Sequence, residues 1–295
     1  MTLPRRLRTQ TGRFSLVDGI PFEMPIRSSK SPAFMAAFSI DAERARRLLP
    51  EGEIHPLRLW KRGVLLITVI DYRETPIGKY IEFSVGIACT RGRAPAPPLL
   101  PLLLMKPFGT GQYVVDLPVS TEISVKGGKG IWGMPKHQAN LSFSISDTRV
   151  SSQYDLDGKL ALHIDMRRPT GIGVPLRATG VNWCSFRGML MKSTVYFRSK
   201  PHFAFGRSAE AKLVIGDHPR VQPLKELDIS DRPLFTVFFP EISGALDDHL
   251  EAWFLTYPQL PTEAPEGLES VVGLGLSEEW LPPPSAPLPV DAGKK

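Results

Sequence analysis

Alternation of hydrophobic and polar residues predicts β-strands along most of this chain. From residue 139 to residue 145, apolar side chains alternate with asparagine and serine, which is the period of a half-buried strand. Runs rich in valine, isoleucine and leucine predict further strands. These lie at 33–40, 63–72, 80–90, 153–156, 159–164, 189–197 and 211–215. Asp157 and Gly158 have the residue types of a hairpin turn between two of them.

Two short helices are predicted among these strands. Asp41 is a typical N-cap, and residues 42–49 follow it as a helix that Pro50 ends. Residues 244–256 place leucines and a tryptophan on one side of an amphipathic helix. Roughly nine or ten strands with so few helices predict a mainly β fold, an antiparallel closed or strongly curved sheet that forms a β-barrel.

The chain divides by composition into three parts. Residues 1–30 are polar and basic, and they predict an N-terminal extension that wraps over the body. Residues 31–257 are expected to form a single β-barrel domain. Residues 258–295 are rich in proline and predict a partly disordered C-terminal extension. Residues 91–111 combine prolines with leucines, and the sequence leaves open whether they form a lid, an oligomer contact or a flap.

Composition and charge exclude several classes of function. Hydrophobic residues make up 42% of the 295 positions and charged residues 22%, as in a globular protein. No apolar run of about eighteen residues predicts a membrane span, and no apolar segment follows the basic N-terminus as in a secretory signal. The net charge of +6 is scattered, so no nucleic-acid partner is expected. Two cysteines make no disulfide framework, which favours the cytoplasm.

The sequence contains none of the common cofactor or metal motifs. Its six histidines show no ligand spacing on any one predicted element, so no metal site is expected. Residues 171–173 read GIG, but no βαβ pattern follows them, so no dinucleotide is expected. No serine-elbow pattern surrounds Gly188. We therefore expect chemistry that needs no cofactor.

The most informative stretch is residues 127–137, which read GGKGIWGMPKH. Glycine and proline at this density predict a rigid turn that holds Lys136 at the start of a strand, among Ile131, Trp132 and Met134. Burial disfavours a charged ammonium, and a neutral lysine amine forms a Schiff base with a ketone. The alternative is a surface lysine whose stem covers Trp132.

A second candidate is Glu82, in the predicted strand 80–90. Tyr80, Glu82 and Ser84 alternate with apolar residues and therefore share one face of that strand. This face is directed either to water or to a cavity. General burial statistics favour water for a glutamate.

Several segments resemble the acetoacetate decarboxylase family in their order and spacing. Residues 132–137 (WGMPKH) are similar to the family's lysine motif, in which a proline precedes the Schiff-base lysine. Residues 80–82 (YIE) are similar to its tyrosine-x-glutamate motif. Residues 39–50 look like its early strand–helix–proline unit, and residues 211–229 look like its late strand and loop.

The resemblance covers roughly residues 30–240 and implies a β-barrel with an apolar interior. It also implies that Lys136 is the Schiff-base lysine and that Glu82 lies in the active site. The chain departs from the family pattern at two positions. His137 stands where the family has a second lysine, and we expect it to shuttle a proton near neutral pH. No arginine stands near Ser31, where the resemblance places the family's active-site arginine.

The sequence thus predicts a Schiff-base decarboxylase of a β-keto acid, with Lys136 as nucleophile and Glu82 and His137 assisting. The residues of the predicted substrate pocket are Trp132, Met134, Tyr80 and Glu122. The expected partner is a small keto acid, and the expected assembly is a homo-oligomer. Two alternatives stay open, which are another Schiff-base lyase on a keto acid (an aldolase or dehydratase) and a barrel that binds an apolar ligand without turnover.

Overall fold

The structure, a computed structural model, describes Leu7 and residues 12–257. Strands are the main element of this part of the chain. They are β1 (Arg13–Val17), β2 (Ile20–Met24), β3 (Ile26–Asp41), β4 (Ile54–Pro56), β5 (Arg62–Tyr72), β6 (Tyr80–Arg91), β7 (Gly111–Val119), β8 (Lys136–Gln138), β9 (Asn140–Leu141), β10 (Ser144–Ile145), β11 (Arg149–Leu156), β12 (Lys159–Arg167), β13 (Leu176–Phe186), β14 (Met189–Ser199), β15 (His202–Phe205), β16 (Ala211–Ile215), β17 (Pro233–Leu246) and β18 (Glu251–Phe254).

Helices in the described residues are few and mostly short. They are α1 (Ala42–Arg46), α2 (Leu100–Leu103), α3 (Glu122–Trp132) and α4 (Gln222–Lys225), with 3-10 turns at Gly206–Ser208 and Pro219–Val221. Asp41 is the N-cap of α1, and its Oδ1 accepts a hydrogen bond of 2.8 Å from the Arg44 backbone N–H. The helix ends at Arg46, so it is shorter than the sequence predicts.

Seven strands close into a barrel in the order β17, β3, β5, β6, β7, β13 and β14, because β14 pairs with β17. The predicted mainly β barrel is therefore confirmed. The prediction of a purely antiparallel sheet is wrong at one seam, where β13 runs parallel to β7. The chain forms α3, β8 and four of the five strands of a second sheet between these two strands, and a connection of that length allows a parallel return.

A second sheet, in the order β10, β11, β12 and β16 with β9 beside β11, packs on the outside of the barrel. Outward-facing residues of β6, such as Phe83 and Val85, share one buried cluster with Tyr154, Leu162 and Ile164 of this sheet. The outward-facing residues of these barrel strands are apolar because the second sheet covers them. The barrel strands of this region are thus covered on both sides.

The inner face of the barrel is set by the register of β5 against β6. Tyr72 pairs with Tyr80, and Ile70 pairs with Glu82. Successive side chains of a strand point to opposite faces, so Glu82 lies on the same face as Tyr80. This face is directed to the barrel interior, although general burial statistics favour water for a glutamate.

Two predicted elements differ from those in the structure. The alternating stretch 139–145 is broken into the short strands β9 and β10, and each of them pairs with β11 over two residues only. The predicted amphipathic helix 244–256 is wrong. Its residues form the end of β17 and the strand β18, and both pair with β14. These long-range pairings override the helical spacing of the leucines.

The N-terminal residues of the described chain form strands. Antiparallel strands β1 and β2 make a hairpin that packs on α3, where Val17 approaches Gly130 and Phe22 approaches Gly127. The barrel strand β3 begins at Ile26, earlier than the predicted domain start at residue 31. The predicted proline-rich extension 258–295 lies outside the described residues. Residues 91–111 contain α2, and leucines 102 to 104 of this segment are exposed.

A search of the described residues for a helix long and apolar enough to span a membrane found none.

Candidate active site

Lys136 and Glu82 form a buried ion pair inside the barrel. Lys136 Nζ lies 2.8 Å from Glu82 Oε2, and the two side chains are 7% and 14% exposed. Nζ also donates a hydrogen bond of 3.0 Å to Ser124 Oγ and lies 5.4 Å from the centroid of the Tyr80 ring. A carboxylate, a hydroxyl and an aromatic face therefore surround an amine that is almost completely removed from solvent.

Strand pairing fixes the backbone at both ends of this ion pair. Lys136 opens β8 and pairs in parallel register with Leu117 of β7. Glu82 lies on β6, between Ile70 of β5 and Val119 of β7. Because β6 and β8 both pair with β7, the side chains of Lys136 and Glu82 meet over one face of β7.

Helix α3 supports the stem of Lys136. A Cβ built on Gly128 would lie 2.4 Å from Lys136 Cδ, so the lysine stem packs directly on the helix backbone. Gly133 ends the helix with a φ of 63°, a left-handed conformation that favours glycine. The glycine-rich stretch is therefore a closely packed helix with a glycine cap. The rigid turn predicted for residues 127–137 is therefore wrong over residues 127–132, which are helical, while Lys136 does open a strand.

Two stacked tyrosines flank the ion pair. The rings of Tyr72 and Tyr80 lie 4.5 Å apart, centroid to centroid, with 24° between their planes. Burial, and after it the charge of Glu82, raises the pKa of both phenols well above the usual value. Both tyrosines therefore keep their O–H at neutral pH and can donate a hydrogen bond.

These groups line a cavity of about 220 Å³ in the barrel. Most of its wall is apolar, from residues such as Met35, Ile70, Val114, Phe197 and Phe239. Its polar lining residues are Ser28, Thr68, Tyr72, Thr75, Tyr80, Glu82, Ser84, Gln112, Lys136 and Asn182. Among the lining residues of the described chain, Lys136 is the one cation, and no arginine is present.

The structure brings four of the predicted site residues together at this cavity, namely Lys136, Glu82, Tyr80 and Met134. Trp132 is buried but does not line the cavity, and its Nε1 donates a hydrogen bond of 3.0 Å to the Asp247 carbonyl.

Glu122 is not at the cavity either. It lies in the first turn of α3 with a side chain that is 73% exposed, and its Oε1 is 3.9 Å from Lys126 Nζ. Helix geometry explains this position, since Glu122 and Ser124 lie on different sides of the first turn of α3, with Ser124 buried against Lys136 and Glu122 exposed.

His137 also lies outside the cavity, on the opposite face of β8 from Lys136, as neighbouring residues of a strand do. Its Nε2 is 2.9 Å from Tyr154 Oη, which donates a hydrogen bond of 3.2 Å to Asp116 Oδ2. Arg220 Nε donates to the other oxygen of Asp116 at 2.8 Å. We call His137, Asp116, Tyr154 and Arg220 the outer cluster. Burial lowers the pKa of His137 more than the Asp116 carboxylate raises it.

Sequence reasoning missed several residues at the site. Tyr72 could have been found, because it mirrors Tyr80 across the hairpin between β5 and β6. Ser124 and Gly128 gave no local signal, since they reach Lys136 only once α3 is folded. Gln112 lies on β7 and Asn182 on β13, and the parallel pairing of these strands brings the two side chains together. Their separation in the sequence gives no sign of this contact.

A search of the described residues found no group of three or more histidine, cysteine, aspartate or glutamate side chains arranged to hold a metal ion.

The closed β-barrel, with a lysine–glutamate pair at an interior cavity, has an acetoacetate decarboxylase-like fold. The chain belongs to the acetoacetate decarboxylase family, whose model, acetoacetate decarboxylase (ADC), matches residues 9–234. No curated protein matches the chain.

Solved structures of similar fold include two acetoacetate decarboxylases. One, from Legionella pneumophila, is 14% identical with a TM-score of 0.56, over 76% of this chain and 85% of that chain. The other is 12% identical with a TM-score of 0.58, over 88% of this chain and 100% of that one. The enduracididine biosynthesis enzyme MppR, complexed with the condensation product of pyruvate and imidazole 4-carboxaldehyde, is 15% identical with a TM-score of 0.52, over 77% and 88%. At these identities the likeness concerns the fold.

Proposed function

We propose that this protein is a Schiff-base enzyme that decarboxylates a β-keto acid, with Lys136 as the nucleophile. The observation that carries the proposal is the 2.8 Å contact between Lys136 Nζ and Glu82 Oε2 at the wall of a mostly apolar cavity in the barrel. Membership of the acetoacetate decarboxylase family supports the same chemistry. A nucleophile beside a carboxylate that can take its proton is a recurring arrangement in covalent catalysis.

The reaction begins when Glu82 takes a proton from Lys136, since only a neutral amine can attack. The amine nitrogen bonds to the ketone carbon, and the ketone oxygen becomes a hydroxyl. Glu82 returns the proton to this hydroxyl, which leaves as water, and a protonated imine remains. The positive imine nitrogen is then two bonds from the carbon that carries the carboxylate.

The carbon–carbon bond to the carboxylate breaks next, and its electron pair moves into the imine to give an enamine and carbon dioxide. A proton adds to the enamine carbon and restores the imine. Water then adds to the imine carbon, and the ketone product leaves Lys136 as a free amine. Negative and positive charge are both lost in the decarboxylation step, so an apolar cavity favours it over water.

Neutral hydroxyls take the place of a guanidinium in this cavity. Tyr72 and Tyr80 keep their protons and line the cavity next to Glu82, so they can hold the substrate carboxylate without neutralising it. A carboxylate held by neutral donors is less stabilised than one held by arginine, and it loses carbon dioxide more readily. His137 has a positioning role in this scheme, because its contacts hold β8 from outside.

Heavy-oxygen labelling tests the proposal. Decarboxylation of acetoacetate or a longer β-keto acid in labelled water must give a ketone that carries the label, because the product oxygen comes from the water that hydrolyses the imine. Released carbon dioxide is measured in the same reaction, with the slow exchange of free ketone subtracted. Carbon dioxide without labelled ketone contradicts the Schiff base.

A second candidate function is condensation of a keto acid with an aldehyde through the same lysine. The MppR structure favours it, because that protein shares the fold and is complexed with a condensation product of pyruvate. An enamine formed on Lys136 would then attack an aldehyde carbon, and no carbon dioxide would be released. Product analysis with pyruvate and a small aldehyde separates this reaction from decarboxylation.

A further inference from the structure

We infer that the substrate is a keto acid whose tail carries a hydroxyl or amide group, and that Thr68 and Gln112 recognise this group. The inference rests on the proposed function for the reacting end of the substrate. It adds the chemical class of the tail, which the chemistry at Lys136 does not define. We call Thr68, Gln112 and Asn182 the polar patch.

The polar patch contains two buried atoms that no protein group satisfies. Thr68 Oγ1 and Gln112 Oε1 are both inaccessible to bulk solvent and without a hydrogen-bond partner in the described structure. Both residues line the cavity that holds Lys136. Buried polar atoms in folded proteins are nearly always hydrogen-bonded, so two unpaired ones among the lining residues of one cavity are positions that a ligand with matching groups can satisfy.

The amide of Gln112 is held in place at this wall. Its Nε2 donates a hydrogen bond of 2.8 Å to Asn182 Oδ1 across the parallel pair of β7 and β13. A Cβ built on Gly86 would lie 2.5 Å from Gln112 Oε1, so the absent side chain at residue 86 makes room for the amide. With Nε2 engaged by Asn182, the Gln112 amide has its Oε1 as an unused acceptor.

The patch is some distance from the reacting ketone. Thr68 pairs with Ser84 on the next strand, two residues beyond the level of Glu82. Two residues of a strand span about 7 Å. The group that contacts the patch is therefore several bonds away from the carbon that Lys136 attacks. Acetoacetate ends in a methyl group next to its ketone and leaves the patch unpaired.

Energetics favour a polar tail over an apolar one. An apolar group against the patch leaves Thr68 Oγ1 and Gln112 Oε1 unpaired, whereas a polar group can satisfy them, and a site built for hydrogen bonds rejects an analogue that lacks them. A hydroxyl satisfies both the Gln112 acceptor and the Thr68 hydroxyl. The cavity of about 220 Å³ has the volume of roughly seven water molecules in the liquid, which accommodates such a tail.

Thr236 supplies a matched control. Its Oγ1 is also buried without a partner in the described structure, and the residue is 0% exposed. It lies on β17 and does not line the cavity. An unpaired threonine hydroxyl alone is therefore no sign of a ligand, and the cavity makes the difference at Thr68.

The test compares two β-keto acids of the same shape, of which one carries a hydroxyl where the other carries a methyl, beyond the ketone. The ratio of their kcat/KM values is measured for the wild type and for Thr68→Val, Gln112→Leu and Thr236→Val. We expect the wild type and Thr236→Val to prefer the hydroxyl compound by roughly tenfold. Thr68→Val and Gln112→Leu are expected to lose this preference.

A binding experiment separates this inference from the proposed function. Two carboxylic acids of the same shapes, without the ketone, cannot form an imine, and calorimetry gives the ratio of their dissociation constants. Absence of turnover for both keto acids, with a preserved preference in binding, contradicts the proposed function and supports the patch. Equal binding and equal turnover of the two compounds in the wild type overturns the inference, as does a ratio that Thr68→Val and Gln112→Leu leave unchanged.

Discussion

Two buried acid–base clusters lie on opposite faces of strand β8. On the inner face, Lys136 contacts Glu82 at 2.8 Å beside a cavity of about 220 Å³. On the outer face, His137 contacts Tyr154 and lies near Asp116, between the barrel and the second sheet. No residue of the outer cluster lines the cavity.

The comparison shows that burial and a shifted pKa do not by themselves mark a site of reaction. Burial raises the pKa of Tyr154 and lowers that of His137, so the outer cluster is as strongly perturbed as many active sites. Its residues do not line the cavity, and its hydrogen bonds join β7 and β8 to Tyr154 of the second sheet. The inner cluster has both the reactive groups and the space.

Replacement of the two neighbouring residues of β8 gives the largest expected contrast. Lys136→Met removes the nucleophile, and we expect the rate of carbon dioxide release to fall by roughly 10⁴-fold or more. His137→Gln is expected to cause a far smaller loss, because its side chain does not reach the cavity. Equal losses in the two variants, both folded by circular dichroism, would remove the distinction between the two faces.

Replacement of the two carboxylates is expected to separate activity from stability. Glu82→Gln leaves Lys136 without a proton acceptor, and kcat should fall by about 10²–10⁴-fold. Asp116→Asn weakens the hydrogen bonds to Tyr154 and Arg220, and it should lower the free energy of unfolding by about 1–3 kcal/mol. Kinetics and urea denaturation of both variants measure the two effects. A larger loss of kcat in Asp116→Asn contradicts the account.

The contact between helix α3 and the lysine stem is expected to have an intermediate effect. In Gly128→Ala the new Cβ would displace the Lys136 stem, and a shift of this size should lower kcat by roughly 10–100-fold. The control is Gly92→Ala, whose Cβ would meet its nearest neighbour, the Ala94 carbonyl, at an ordinary 3.5 Å. Unchanged kinetics in Gly128→Ala would show that the lysine does not depend on the helix for its position.

The smallest expected effect is a pH dependence of stability from the outer cluster. Burial, partly offset by Asp116 and reinforced by Arg220 and Lys129, lowers the pKa of His137 below its usual 6.5. The unfolded chain then binds the proton more readily, so stability is fully present above about pH 6.5 and is lost as the pH falls towards the folded pKa. His55 has a lowered pKa too, but it titrates equally in wild type and variant.

Urea denaturation of the wild type and of His137→Gln from neutral to acidic pH measures this contribution. The wild type should lose more stability on acidification than the variant. The opposite order of slopes would mean that His137 is charged in the folded protein, contrary to its position in the outer cluster.

The inner site could be predicted in part from the sequence. The lysine motif and the alternation of Tyr80, Glu82 and Ser84 place Lys136 and Glu82 on strands, and the family resemblance brings them together. Alternation also predicts the position of His137, because a residue next to an inward-facing lysine on a strand faces outward. Applied to β8, this rule predicts from the sequence alone that His137 lies outside the cavity.

Other parts depend on tertiary contacts that local patterns do not contain. Helix α3 holds glycines at residues 127, 128 and 130, each of which is unfavourable in an isolated helix by about 1 kcal/mol relative to alanine. Glycine is required at these positions because the side chains of Phe22, Lys136 and Val17 approach the helix backbone too closely for a Cβ atom. The strand β18 in place of a predicted helix has a similar origin, since its pairing with β14 joins segments far apart in the chain.

The central claim is that Lys136 forms a covalent imine with a keto acid, and borohydride reduction tests it most directly. The protein is reduced in the presence of a β-keto acid, and the adduct is located by peptide mass spectrometry, with Lys192→Ala as a control for another ion-paired lysine. The account predicts one adduct on Lys136, retained in Lys192→Ala and absent from Lys136→Met. An adduct elsewhere, or inactivation without any adduct on Lys136, would contradict it.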